Sequence, residues 1–187
     1  MIRLAASALA LSLVAGTALA EPVAYDFDKS HANLAFSYNH LGYSTTEGRF
    51  GEWEGTLLID KDTPANSSIE FTIDVGSLDT FWAERNAHFL SADFFDAEKF
   101  PKATFKSTKV EKTGDNQLEV PGDLTIKGIG RQIVLPFAWI IDGDQATMQG
   151  EVTLNRTDFK VGEGDWAKGK TVGLQVDVKV RLALKRS

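Results

Sequence analysis

An all-β fold, an antiparallel barrel of about eight strands with one short helical segment at about 80–90, follows from three observations. Period-two alternation of apolar and polar residues dominates the chain. Short turn sequences separate the alternating runs. Only residues 80–90 carry a helical composition, with Ala83, Glu84, Arg85 and Ala87. One helix cannot cover the apolar faces of so many strands, so the sheet must cover itself, as a barrel or a sandwich. A closed antiparallel barrel also removes edge strands, which favours it.

Taken in order, residues 1–20 read as a secretory leader. Arg3 supplies the positive start, residues 4–16 the apolar stretch, and Ala18-Leu19-Ala20 the small-x-small cleavage site before Glu21. Residues 21–187 are then expected to fold as a single domain in a periplasm. The net charge of −6 argues against nucleic acid as a partner. The absence of cysteine rules out thiol chemistry and leaves stability to packing and strand pairing.

Strands are expected at 24–28, 33–39 and 43–50. Trp53, Gly55, Leu57 and Ile59 then alternate with Glu54, Thr56 and Asp60, and Ile69, Phe71, Ile73 and Val75 with Glu70, Thr72 and Asp74. Beyond the helical segment come 103–112, then Leu118, Val120, Leu124 and Ile126 alternating with Glu119, Asp123 and Lys127, and then 146–156. The last strand is the clearest, with Leu174, Val176, Val178, Val180, Leu182 and Leu184 on one face. The turns at 113–116 and 142–144 are tight enough to close hairpins.

The run 132–141 breaks the pattern, because both of its faces are apolar. Pro136 has no N–H for the ladder, which predicts a bulge or an open side there. The second face is expected either under the helix or a loop, or as the contact between two subunits of a homodimer through the 133–141 strand.

Half of the 12 phenylalanines fall between Phe81 and Phe105, interleaved with Arg85, His88, Asp93 and Asp96. On the helix, Ala83, Ala87 and Leu90 share a face at i, i+4 and i+7. Arg85 and His88 can serve as a polar anchor for a ligand head group, as an acid–base pair, or as a network fixing a loop over the barrel end. His31, His40 and His88 lack the spacing of a helical zinc site, and no metal or catalytic nucleophile is expected. Gly162-Glu-Gly-Asp-Trp-Ala167 imitates a dinucleotide fingerprint but lies in no strand–helix–strand unit and reads as a turn.

Several of these stretches together resemble the YceI-like polyisoprenoid-binding family. They are Ser30-His31, Asn39-His40-Leu41-Gly42-Tyr43-Ser44, Ser77-Leu-Asp-Thr80, Arg85-Asn-Ala-His88, Ser91-Ala-Asp-Phe-Phe-Asp96, Phe100-Pro101 and Asn155-Arg-Thr-Asp-Phe159. The resemblance departs at Asn86, where an Asp is common, and at Lys127, where a His is common. It implies a lipocalin-like exported barrel whose lumen holds a long isoprenoid tail, of a quinone or polyprenyl lipid, with no other cofactor. Phe36, Phe71, Ile73, Leu124, Ile126, Val176, Val178 and Val180 are then expected to line the lumen, and Arg85, His88, Phe94, Phe95 and Asp96 to form a gate or head-group site. The rival expectations are an enzyme acting on a lipid through His88, Arg85 and Asp96, and a docking module using the 134–140 face. An inner-membrane partner of unknown identity fits the implied export.

Overall fold

The alternating runs become strands in a computed structural model that describes residues 22–60 and 62–187. The expected leader lies outside the described residues. β1 (Val23–Phe27), β2 (Asn33–His40), β3 (Ser44–Phe50), β4 (Trp53–Ile59), β5 (Ser68–Asp74) and β6 (Leu78–Asp79) precede the helix α1 (Ala83–Leu90). β7 (Lys102–Ser107), β8 (Glu111–Gly114), β9 (Gln117–Ile126), β10 (Ile129–Asp142), β11 (Gln145–Asn155) and β12 (Val172–Arg186) follow it.

Pairing is antiparallel throughout the described residues. The order β1-β4-β5-β7-β9-β10-β11-β12 closes when β12 pairs back onto β1 through Phe27↔Leu184. The result is a closed eight-stranded barrel with one α-helix among the described residues. β2, β3 and β6 prolong β1, β4 and β5 towards one end, which we call the upper end. β12 serves both storeys, pairing with β1 near its C-terminus and with β2 from Val172 to Arg181. Between β1 and β2, the Asp28 carboxylate accepts the Ser30 N–H and hydroxyl and contacts the His31 ring, so His31 belongs to a surface turn.

The lower storey is solid. Leu57, Ile69, Val120, Phe137 and Met148 are fully buried there, and Trp139 meets Tyr25 edge-on with centroids 5.5 Å apart. Burial of side chains this large contributes roughly 1.5–3 kcal/mol each, so this half carries much of the hydrophobic stabilisation.

The upper wall has two seams. The β9–β10 ladder runs unbroken through Pro136↔Glu119, but the β10–β11 ladder begins only at Phe137↔Gly150. Above that pair β10 and β11 part, immediately beyond the residue that lacks an N–H; the wall opens there without a bulge. The second seam lies between β3 and β7, where β6 is only two residues long and α1 completes the wall.

Three expectations need correction. The expected strand 103–112 divides, because the Thr108 N–H and hydroxyl both bond Pro121 O and turn the chain, burying Val110 and starting β8. The helix begins at Ala83, and the stripe of Ala83, Ala87 and Leu90 is not its buried face. Ala83 and Ala87 are exposed and Phe89 is buried instead, because its ring removes far more apolar area from water. Finally, α1 does not cover the outer face of β10, where Val134 and Ile140 stay 47% and 55% exposed.

Candidate functional site: an apolar cavity under an aromatic cap

Four phenylalanines lie flat against the barrel wall because the adjacent strand offers glycine. A Cβ placed at Gly48 would stand 2.4 Å from Phe36 Cζ, and one at Gly55 2.6 Å from Phe71 Cδ1. The same holds for Gly122 beneath Phe105 (2.5 Å) and Gly150 beneath Phe137 (2.6 Å). Glycine inside a strand weakens it unless something needs the space. Here the space is filled by a ring that would otherwise project to the barrel axis.

Phe137 belongs to the lower storey; the other three rings border an apolar cavity of about 180 Å³ in the upper storey. Phe36, Phe71, Ile73, Leu124, Ile126, Val176, Val178 and Val180 all face it from the strands. From the segment after β6, Phe89, Phe94 and Phe95 close it. Tyr38–Phe89 (5.7 Å between centroids) and Phe50–Phe95 (6.0 Å) join this cap to β2 and β3. On its other side Phe94 stacks with Phe89 (4.7 Å) and Trp166 (5.4 Å), and the Asp93 carbonyl accepts the N–H groups of Gly162 and Glu163.

Arg85, His88 and Asp96 do not face the cavity. Arg85 donates from Nε to Thr80 Oγ1 (2.9 Å) and from Nη2 to Thr80 O, while its guanidinium stacks on Trp82. His88 sits edge-on to Trp166 (4.8 Å) and Phe94 (5.2 Å), with Asp93 as its carboxylate neighbour at 4.0 Å. Asp96 pairs with Lys99 at 3.0 Å, and its carbonyl accepts from Lys99 and Phe100. Each of the three is held by a different set of partners. Asn86 accepts from the Thr80 N–H and hydroxyl, and Lys127 donates to Ala92 O and Lys160 O. In this chain both of those positions hold loops together.

The entry to α1 is strained. Phe81 adopts φ +62, a left-handed conformation that costs a bulky residue about 1–3 kcal/mol. The Asp79 carboxylate holds it there by accepting the Phe81 N–H at 2.8 Å. That bond is the main cause that keeps the Asp79 carboxyl below its ordinary value; desolvation, the next largest, opposes it, and the Asn86 amide and Arg49 add to the lowering.

Two polar side chains border the cavity without any signal in the alternation. Arg156 is 5% exposed, and its guanidinium donates to the carbonyls of Gly173, Val161, Gly162, Trp166 and Val172. All five of its N–H groups are used, and burial lowers its pKa. The Tyr38 hydroxyl is buried with no hydrogen bond of ordinary geometry; burial raises its pKa, while Thr46 and Arg85 pull the other way. Among the described residues no group of three or more His, Cys, Asp or Glu side chains is placed to hold a metal ion. Interior-strand glycines were the available sequence signal for the flat rings; for Arg156 there was only its place in the Asn155–Phe159 stretch, which says nothing of its burial.

An up-and-down barrel, solid below and hollow and apolar above, is a lipocalin-like β-barrel. The YceI-like domain profile matches residues 25–184, and the chain belongs to that family. It is 38% identical over 157 residues to the protein YceI of Escherichia coli O157:H7, covering 81% of this chain and 82% of that one. Among solved structures, Burkholderia cenocepacia BcnA aligns with a TM-score of 0.82 and 30% identity, over 84% of this chain and 99% of that one. A domain from Saccharophagus degradans, described as polyisoprenoid binding, aligns with a TM-score of 0.67 over 88% of this chain and 99% of its own. At 15% identity that likeness concerns the fold alone.

Proposed function

We propose that the protein binds the tail of a long-chain isoprenoid lipid, of polyprenyl or isoprenoid-quinone type, in the upper cavity, and carries or stores it in the periplasm. The observation that carries this reading is the glycine-seated rings. Phe36, Phe71 and Phe105, so seated, border an apolar space that the same rings, standing inward, would fill. Membership of the YceI-like family supports it, as does the description of the Saccharophagus degradans domain as polyisoprenoid binding. Export is supported by the leader pattern around Arg3 and Ala18-Leu19-Ala20. Binding rather than turnover is supported by Arg85, His88 and Asp96 each being engaged by other partners and none of them lining the cavity.

Magnitudes set what the ligand must do. An apolar cavity of about 150 Å³ accepts benzene, so 180 Å³ takes roughly one or two isoprene units as it stands. A longer tail must part the Phe94–Phe95 cap or one of the seams. Each CH₂ transferred from water contributes roughly 0.8 kcal/mol, whereas an exposed head-group ion pair contributes about 0–1 kcal/mol in total. Competition of geraniol, farnesol and geranylgeraniol against a lumen probe should show affinity rising with length and little affected by salt. Equal affinity across the three would overturn the reading. Native mass spectrometry of the exported protein tests both bound lipid and a mature start at Glu21.

A further inference from the structure

The seam closed by α1 has an unusual outer rim. Among the described residues, Phe81 and Trp82 are large apolar side chains left exposed beside it, at 69% and 57%, and Leu41 and Tyr43 are exposed at the outer tip of the adjoining β3, at 48% and 80%. Leu41 and Tyr43 lie in the turn that starts β3, and Phe81 and Trp82 at the entry to α1. Phe81 is turned outward by a strained backbone that Asp79 holds in place. A residue strained in order to expose a phenyl ring is not explained by packing.

The rim carries charge of both signs: Arg49 pairs with Asp79 at 3.4 Å, and Glu47 and Glu84 are exposed nearby, but two guanidinium groups lie against its rings. The Arg49 guanidinium lies 5.5 Å from the Phe81 ring centre and that of Arg85 5.5 Å from Trp82. Between them α1 presents Ala83, Glu84 and Ala87 outward. Aromatic rings beside arginines suit the layer where lipid phosphates meet acyl chains, in which tryptophan and tyrosine are favoured. The second seam, between β10 and β11, is bordered by exposed Glu151, Thr153 and Asn155 on β11 and by exposed Arg131 and Val134, with no aromatic ring, on β10.

We propose that the Leu41, Tyr43, Phe81 and Trp82 face docks on a phospholipid bilayer, with Arg49 and Arg85 towards lipid phosphates. This rests on the lumen being the lipid site. Docking sets the α1 seam against the membrane, and a tail enters under α1 by parting the Tyr38–Phe89 and Phe50–Phe95 ring pairs. With a net charge of −6, the chain as a whole is not drawn to an anionic surface, so the attraction is local and mainly apolar.

The test is co-sedimentation with vesicles of phosphatidylcholine and phosphatidylglycerol in equal parts. F81G/W82S removes both rings, and glycine accepts φ +62 without strain, so this variant should fold at least as well as the parent. V134S/I140S removes the other exposed apolar face. The parent and V134S/I140S should pellet with vesicles, and F81G/W82S should partition at least about tenfold less. In the absence of vesicles, all three should bind diphenylhexatriene alike. The proposal fails if the parent stays in the supernatant, if F81G/W82S pellets like the parent, or if V134S/I140S is the variant lost. Self-association of the parent that F81G/W82S abolishes would assign the face to a second copy and overturn it too. Vesicle binding lost in F81G/W82S, together with no diphenylhexatriene binding by any form, would keep the docking face and overturn the lumen reading.

Discussion

Phe36 and Gly48 are register partners in the β2–β3 pair, and the Phe36 ring occupies the place where a side chain at 48 would stand. The absence of a methyl group on one strand thus fixes the direction of a ring on the next. Gly48→Ala should push that ring towards the barrel axis. Overpacking of this kind costs about 1–3 kcal/mol, and here it also reduces the cavity. Thermal unfolding and diphenylhexatriene titration of the same variant should show a lower Tm together with weaker probe binding. A lower Tm with unchanged binding would place the ring elsewhere.

Phe94→Ala should act in the opposite sense on the cavity. Phe94 is 2% exposed and joins Phe89, His88 and Trp166, so its removal should cost about 3–5 kcal/mol. The enlarged space and loosened cap should speed probe release. Urea unfolding measures the first effect and stopped-flow displacement the second.

Arg156→Met should release the loop between β11 and β12. Five carbonyls lose their donor at once, and each buried acceptor left unpaired costs roughly 1–3 kcal/mol. Relaxation of the loop limits the total to an expected loss of at least about 3 kcal/mol. Arg156→Lys should rescue little of it, because an ammonium has three donors and no fork. Amide hydrogen exchange over residues 157–172 distinguishes loop release from global unfolding.

The hinge before α1 should be sensitive to acid. The Asp79 carboxyl titrates below its unfolded value, chiefly because it accepts the Phe81 N–H. Its stabilising effect is therefore complete above the unfolded pKa, near 3.9, and is lost as pH falls through the lower folded value. Exchange of the Phe81 amide, corrected for intrinsic rate, should rise below about pH 4, and Asp79→Asn should remove that pH dependence.

Much of the barrel was legible because alternation has one cause: a strand with one wet face must bury the other. The run from Leu174 to Leu184 could be placed from that alone. Pro136 announced a parting of strands, because its missing N–H is a local property. The α1 face was not legible, since Ala83 and Ala87 fit a helical stripe but Phe89 has more area to bury. Arg156 was hidden for a different reason. Its partners are backbone carbonyls from a loop folded by the rest of the chain, and carbonyls carry no sequence signature. Gly48 and Gly122 lay in between, visible as glycines within strands but silent about which ring they admit.

The division of the barrel into two storeys has an evolutionary consequence. Substitutions among Val176, Val178, Ile126 or Phe71 alter the hollow half, while the set around Phe137, Met148 and Leu57 still holds the strands in register. Relatives can therefore diverge in what the upper half accommodates without first acquiring compensating stability, and a designer can graft a new lumen onto the same foundation.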